Sequence, residues 1–188
     1  MDKVSLRSDY KNRRNALTDK EQLINDDLLL IQFQQFNFSA INTVMSYWPI
    51  AHQIEPNTHL FTRYLNHMLP NLSLVYPKIV DQNNMEGICT NSDTIFTTNS
   101  LGITEPIEGK IIDPIEIDLV LVPLLIFDKI GYRVGYGKGY YDRFLTQCRD
   151  NVSLIGFSYF EPVDKITDTH EFDIPLTIGI TPNNIYEF

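Results

Sequence analysis

The chain has 188 residues, 43% of them apolar and 21% charged, a balance that excludes disordered and fibrous classes. A net charge of −9 argues against non-specific binding to DNA or RNA, which depends on neutralising phosphates with Lys and Arg. It leaves open a small anionic ligand held by a local cluster of cations and backbone N–H groups. The length fits one domain over residues 1–188.

In chain order, Leu6, Tyr10 and Leu17 among Lys and Arg, followed by Leu23, Leu28, Leu29, Ile31, Phe33 and Phe36, predict two opening helices. Thr18 with Glu21 three residues on is a capping-box pattern and marks the start of the second. A first strand is expected over Thr43–Pro49, a helix over Asn57–Met68 and a strand over Leu72–Val80, which together make a βαβ unit. Pro77 inside that last strand predicts an edge position or a bulge. Met85–Thr90 and Asp93–Thr97 read as antiparallel hairpin strands. The near-continuous apolar run Leu119–Phe127 predicts a central strand covered on both faces. A helix over Tyr140–Cys148 and strands over Val152–Phe157 and Thr177–Thr181 complete an α/β layered fold, with a mostly parallel central sheet flanked by helices.

No apolar run approaches the roughly 18–20 residues that span a bilayer, and Met1–Arg14 lacks the apolar stretch of a secretory signal. No membrane contact is expected, and a cytoplasmic monomer is the default. Cys89 and Cys148 form no Cys-x-x-Cys pair and read as ordinary thiols. His52, His59, His67 and His170 are too scattered for a metal site. Tyr47 and Trp48 read first as core aromatics, with stacking surface for a flat ring as the alternative.

The strongest local pattern is Gly131-Tyr-Arg-Val-Gly-Tyr-Gly-Lys-Gly-Tyr-Tyr-Asp142, between a buried strand and a helix. The alternating Gly135, Gly137 and Gly139 let the backbone approach a ligand and adopt positive φ. Several N–H groups, and the start of the following helix, can then point at one anion. Lys138 adds a full positive charge, and Asp142 a hard oxygen suited to Mg²⁺. Neither the Walker A motif nor the dinucleotide fingerprint matches this spacing. On spacing alone the segment fits equally well a glycine-rich turn joining strand to helix.

The longer string Ile117-Asp-Leu-Val-Leu-Val-Pro-Leu-Leu-Ile-Phe-Asp-Lys-Ile-Gly-Tyr-Arg-Val-Gly-Tyr-Gly-Lys-Gly-Tyr-Tyr-Asp-Arg-Phe-Leu145 closely resembles the signature of the 5-formyltetrahydrofolate cyclo-ligase family. Lys3-Val-Ser-Leu-Arg7 is similar to the family's N-terminal Lys-x-x-Leu-Arg element, Ile103-x-Glu105-Pro106 to its Glu-Pro element, and Glu171-x-Asp173-Ile-Pro-Leu176 to its C-terminal element. The resemblance spans the chain, densely in the second half. It implies an ATP-dependent ring closure of 5-formyltetrahydrofolate, with Mg²⁺ as cofactor. It implies that Lys3, Arg7, Arg133, Gly135, Gly137, Lys138, Gly139, Tyr140, Tyr141 and Asp142 bind ATP, with Lys138 and Tyr140 also serving the chemistry. Asp142 and Asp173 would hold the metal, and Gln53, Glu55, Tyr140 and Tyr141 would bind the folate. Read without the resemblance, Lys3 and Arg7 fit a solvated helix face, Tyr140 and Tyr141 fit helix packing, and Asp173 fits a turn former.

The chain departs from the family pattern at three positions. Gln53 stands where the family carries a Glu that contacts the pterin, keeping an acceptor oxygen but losing the charge and any general-base role. Phe172 replaces the usual His, and Thr177 an acidic residue. The Gln53 change leaves room for a slow enzyme or a non-catalytic folate- or nucleotide-binding protein. An enzyme acting on sugar phosphates or CoA esters is a further alternative, one that lacks a motif here.

Overall fold

The computed structural model describes residues 1–188. Helix α1 (Lys3–Asn15) is capped by Asp2, whose carboxylate accepts from the Ser5 N–H at 2.8 Å. It buries Leu6, Tyr10 and Arg14, four residues apart, and so sets Lys3, Arg7 and Lys11 in a second row alongside. Helix α2 (Asp19–Phe33) opens with the expected capping box, in which Thr18 Oγ1 accepts from Glu21 N–H and Glu21 Oε2 from Thr18 N–H.

Strand β1 (Thr43–Met45), helix α3 (Thr58–Met68) and strand β2 (Ser73–Ile79) form the predicted βαβ unit, with Thr43 opposite Ser73 in parallel register. Strand β3 (Met85–Thr90) returns antiparallel to β2. Strands β4 (Phe96–Thr98) and β5 (Thr104–Pro106) make a separate hairpin, and β6 (Lys110–Ile112) adds to β3. Strand β7 (Leu119–Val122) re-enters the sheet beside β1. A short ribbon of β8 (Ile126–Phe127) and β9 (Arg133–Val134) leads to α4 (Tyr140–Leu145), then to β10 (Ser153–Phe157), β11 (Ile178–Ile180) and β12 (Ile185–Glu187).

The eight-stranded sheet has the order β12-β11-β10-β7-β1-β2-β3-β6, parallel from β11 to β2 and antiparallel at both edges. It is the mixed, mostly parallel α/β architecture expected. Successive residues of β7 feed opposite faces, Leu119 and Leu121 packing with Leu29, Phe33, Phe61 and Leu65, and Val120 and Val122 with Phe144 and Leu154. Each such side chain, removed fully from water, contributes about 1.5–3 kcal/mol. No helix is long and apolar enough to cross a membrane.

Four local expectations need correction. The run Leu119–Phe127 is not one strand, because Pro123 supplies no N–H for the ladder; β7 ends at Val122, and β8 pairs only with β9. Residues 93–97 do not pair with β3, whose two sides are taken by β2 and β6; the hairpin partner of β4 is β5. Strand β1 stops at Met45, short of Pro49. Helix α4 has six residues and ends at Leu145 instead of Cys148. Pro77 sits inside a strand flanked on both sides, but β1 pairs β2 only as far as Val75, whose carbonyl accepts from Ser46 N–H. Backbone groups alternate sides along a strand, so Pro77 turns its missing donor to the side that β1 has already left, where Ile79 N–H is met by Glu105 Oε2; proline is tolerated there although β2 is an interior strand.

Close packing of the sheet makes a stability prediction. A Cβ at Gly156 would lie 2.4 Å from Leu124 Cδ2 and 2.7 Å from Leu176 Cδ1. Gly156→Ala is expected to lower unfolding free energy by about 1–3 kcal/mol through overpacking, read as a lower urea midpoint at unchanged slope. An unchanged midpoint would show that Leu124 and Leu176 can repack freely.

Candidate active site

The order of connection reverses at β1, since the chain passes to β2 on one side and later returns to β7 on the other. In open parallel sheets such a switch point leaves a crevice at the strands' carboxyl ends, where ligands bind. A cavity of about 560 Å³ lies there. It is lined by Tyr47 and Trp48 just beyond β1, by Pro123 just beyond β7, by α1 and by residues 135–142.

The glycine loop forms one wall. Gly137 (φ 86°) and Gly139 (φ 70°) occupy the left-handed region, which an L side chain adopts only at a cost. None of the five backbone N–H groups from Gly135 to Gly139 donates a hydrogen bond within the protein. The loop is positioned by its neighbours: Arg7 Nε donates to the Gly135 carbonyl at 2.9 Å, and Arg143 Nη2 to the Lys138 carbonyl at 3.0 Å. Lys3, Arg7, Lys11, Arg133 and Lys138 all line the cavity, so unpaired amides and cations converge on one volume. The short α4 adds little macrodipole; loop amides and side-chain cations dominate. Lys11 escaped the sequence reading, although it lies four residues beyond Arg7 in phase with Lys3; its ammonium sits 5.5 Å from the Tyr136 ring centroid.

Both predicted metal-binding acids line this cavity, each in an ion pair. Asp142 Oδ1 accepts from Arg133 Nη2 at 2.7 Å and from Ile174 N–H at 3.3 Å, while Arg133 Nη1 also donates to the Ile174 carbonyl. Asp173 Oδ2 accepts from Lys3 Nζ at 2.5 Å and from His170 N–H at 2.6 Å. Each carboxylate thus engages one oxygen and leaves the other without a protein partner. No group of three or more metal-ligating side chains occurs. Mg²⁺ usually takes one or two carboxylates and completes its octahedron with phosphate and water, so the chemistry of a free Asp142 or Asp173 oxygen would suit one of its ligand positions.

Burial works to raise the Asp173 carboxyl, but the Lys3 and His170 hydrogen bonds and the Lys3 charge prevail and hold it below the usual range. A depressed folded value means stability present above the unfolded value, about 3.9, and lost as pH falls through the folded one. The stability difference between wild type and Asp173→Asn is therefore expected to be constant from pH 5 to 7 and to shrink below about pH 4. A difference independent of pH down to pH 2.5 would contradict the ion pair.

The opposite wall is more apolar. Trp48 is half-buried and contributes with Ile50, Pro77, Leu101 and Ile103; its ring lies 4.8 Å from that of Phe96 on β4. It is a cavity residue and not the core aromatic that the sequence favoured. Gln53 closes a 3₁₀ turn (Ala51–Gln53) and faces the same space. Glu55 is 3% exposed, and both its oxygens are taken, by the Ile50 N–H at 2.6 Å and the Tyr136 hydroxyl at 2.6 Å. Burial raises the Glu55 carboxyl against the pull of those bonds. Burial, then the Glu55 charge, raises Tyr136 and keeps its hydroxyl a donor. Tyr140 donates its hydroxyl to the Asp81 carbonyl at 3.1 Å, whereas the buried Tyr141 hydroxyl has no partner.

Fold and cleft define an α/β protein with a glycine loop of unpaired amides at the switch point of a parallel sheet, facing an aromatic wall. The family model for the 5-formyltetrahydrofolate cyclo-ligase family matches residues 1–182. A relative from Mycoplasma pneumoniae named 5-formyltetrahydrofolate cyclo-ligase is 30% identical, covering 95% of this chain and 99% of its own. The Escherichia coli K12 protein of the same name is 25% identical over 95% of this chain and 99% of its own. Among solved structures, the Aquifex aeolicus 5,10-methenyltetrahydrofolate synthetase aligns with a TM-score of 0.83 at 26% identity, over 100% of this chain and 93% of that one. The Mycoplasma pneumoniae synthetase gives 0.76 at 28% identity, over 96% and 98%. The chain belongs to the 5-formyltetrahydrofolate cyclo-ligase family, and it is an enzyme.

Proposed function

We propose that the chain closes the ring of 5-formyltetrahydrofolate to give 5,10-methenyltetrahydrofolate, consuming ATP and releasing ADP and phosphate. The observation that carries this reading is the run of five unpaired loop amides from Gly135 to Gly139 beside the lining cations Lys3, Arg7, Lys11 and Lys138. Such a cradle suits a triphosphate, and the Trp48 side suits a flat ring. The formyl oxygen on N5 attacks the γ-phosphorus, and ADP leaves. N10 then bonds to the activated formyl carbon and loses its proton, and phosphate departs with the former formyl oxygen. Oxide is a poor leaving group and phosphate a good one, so the protein's work is mainly positioning and charge stabilisation. The loop amides and Lys138 hold the terminal phosphate, Lys3 and Arg7 flank it, and Asp142 and Asp173 present oxygens to Mg²⁺, which would neutralise charge there. The aromatic wall with Gln53, Tyr140 and Tyr141 orients the folate.

The test is production of methenyl absorbance from 5-formyltetrahydrofolate and MgATP, with a no-ATP control. Absorbance that grows equally without ATP, or not at all, rejects the reading. One observation favours a slow or purely binding variant of it: Gln53 brings no carboxylate to the cavity, and both Glu55 oxygens are already engaged. If that change limits turnover, Gln53→Glu raises kcat; an unchanged kcat shows that the position does not limit the chemistry.

A further inference from the structure

One buried hydroxyl joins the two walls of the cleft. Tyr136 stands between Gly135 and Gly137, and its hydroxyl donates to Glu55 Oε1 at 2.6 Å across 81 positions of sequence. The Tyr136 hydroxyl oxygen in turn accepts from Arg14 Nη1 at 3.2 Å, while Arg14 Nη2 donates to the Leu124 carbonyl at 2.5 Å. The second Glu55 oxygen accepts from Ile50 N–H at 2.6 Å, closing the 3₁₀ turn that carries Gln53. The glycine loop, helix α1 and the folate-side turn therefore meet at one atom.

Two features make this more than packing. The loop's own amides bond to nothing in the protein, so its position depends on side-chain ties, of which the Tyr136 hydroxyl is the one that reaches the opposite wall. Between Gln53 and Glu55, Ile54 has φ 50°, a strained conformation for a β-branched residue that persists only where its surroundings enforce it. The bonds to Glu55 enforce it from the C-terminal side and so fix where Gln53 points. Arg14 and Glu55 are 0% and 3% exposed. Buried charge is a poor device for stability alone, since apolar residues of the same volume commonly do as well or better.

We infer that the Tyr136–Glu55 bond is a latch through which filling the phosphate cradle and filling the folate side favour each other. Tyr136 and Glu55 are thus positioning residues for the reaction, an assignment that rests on the function proposed above. Ordering the loop around a triphosphate fixes Tyr136, which fixes Glu55 and the turn bearing Gln53; folate binding runs the same path in reverse, as linkage requires.

The test is calorimetric titration of the full chain with a non-hydrolysable ATP analogue plus Mg²⁺ and with 5-formyltetrahydrofolate, each alone and in the presence of the other. Wild type should show each ligand tightening the other by on the order of tenfold. In Tyr136→Phe, which removes one hydroxyl and keeps the ring, the factor should fall to about 1–2. Glu55→Gln should do the same, and the double variant should lose no more than either single one. Gly179→Ala, whose added Cβ would press on Phe127 and on none of the residues of this network, should keep the wild-type factor. The latch is overturned if wild type shows no mutual effect, if Tyr136→Phe retains it, or if Gly179→Ala abolishes it equally. A wild-type chain that binds neither ligand and yields no methenyl product overturns the proposed function and this inference with it. A chain that turns over with its coupling untouched by Tyr136→Phe overturns the latch alone.

Discussion

Arg133→Met is expected to lower kcat/KM by about a hundredfold and to lower stability by about 2–3 kcal/mol. The guanidinium is 5% exposed and holds Asp142 Oδ1 at 2.7 Å while also donating to the Ile174 carbonyl. Removing one partner of a buried pair commonly costs about 3–5 kcal/mol, because the other charge is left uncompensated. The Asp142 side chain is 30% exposed, so water offsets part of that loss, and the lower figure applies. Its carboxylate would retain only the 3.3 Å bond from Ile174 N–H and would swing from the cleft. A displacement of about 1 Å at a reacting site is worth roughly a hundredfold in rate. Arg133→Lys should recover only part of the activity, since one ammonium cannot reproduce the planar fork that serves Asp142 and Ile174 together. Urea unfolding and steady-state kinetics at saturating Mg²⁺ check both halves; near-wild-type kcat/KM in a folded Arg133→Met protein would remove Asp142 from the reaction centre.

The second large effect belongs to Gly137→Val, expected to raise KM for ATP by about 10- to 100-fold with a smaller loss of stability. At φ 86° a β-branched residue is a genuine outlier, and holding it there costs about 1–3 kcal/mol. The new Cβ would also stand 3.3 Å from the Arg7 guanidinium, disturbing the side chain that holds the Gly135 carbonyl. The loop relieves both by rotating its peptides, which removes N–H groups from the cradle. The KM for the folate should change much less than that for ATP. Equal increases in the two would mean general damage to the cleft, and no change in either would mean that the loop does not hold nucleotide.

What the sequence made legible was whatever is encoded locally. The capping box at Thr18 and Glu21 needs only residues three apart, and the βαβ unit needs only the change of period between Thr43 and Val80; both stand as expected. Gly135–Asp142 was recognisable as one contiguous stretch, and Lys3, Arg7 and Asp173, read from separate motifs, line the same cavity as that loop. Errors arose where a single residue or a distant partner decides the outcome. Pro123 ends β7 because one missing donor outweighs an apolar run that otherwise continues. The partner of β4 is set by which strands already flank β3, which no local pattern records. The Arg14–Tyr136–Glu55 network joins residues 122 and 81 positions apart. Arg14 looks in sequence like any helix-face cation, and only the four-residue spacing from Leu6 and Tyr10 hints that it points inward.

The proposed activity depends most on Gly135 to Gly139 receiving the triphosphate on their backbone amides. The direct measurement is a ¹⁵N–¹H correlation titration of the labelled chain with a non-hydrolysable ATP analogue and Mg²⁺. The amide signals of Gly135, Gly137 and Gly139 should move downfield together and saturate with one binding constant, while those of Gly156 and Gly179, inside the sheet, stay in place. Saturable binding that shifts other amides and leaves the three loop glycines unmoved would contradict it.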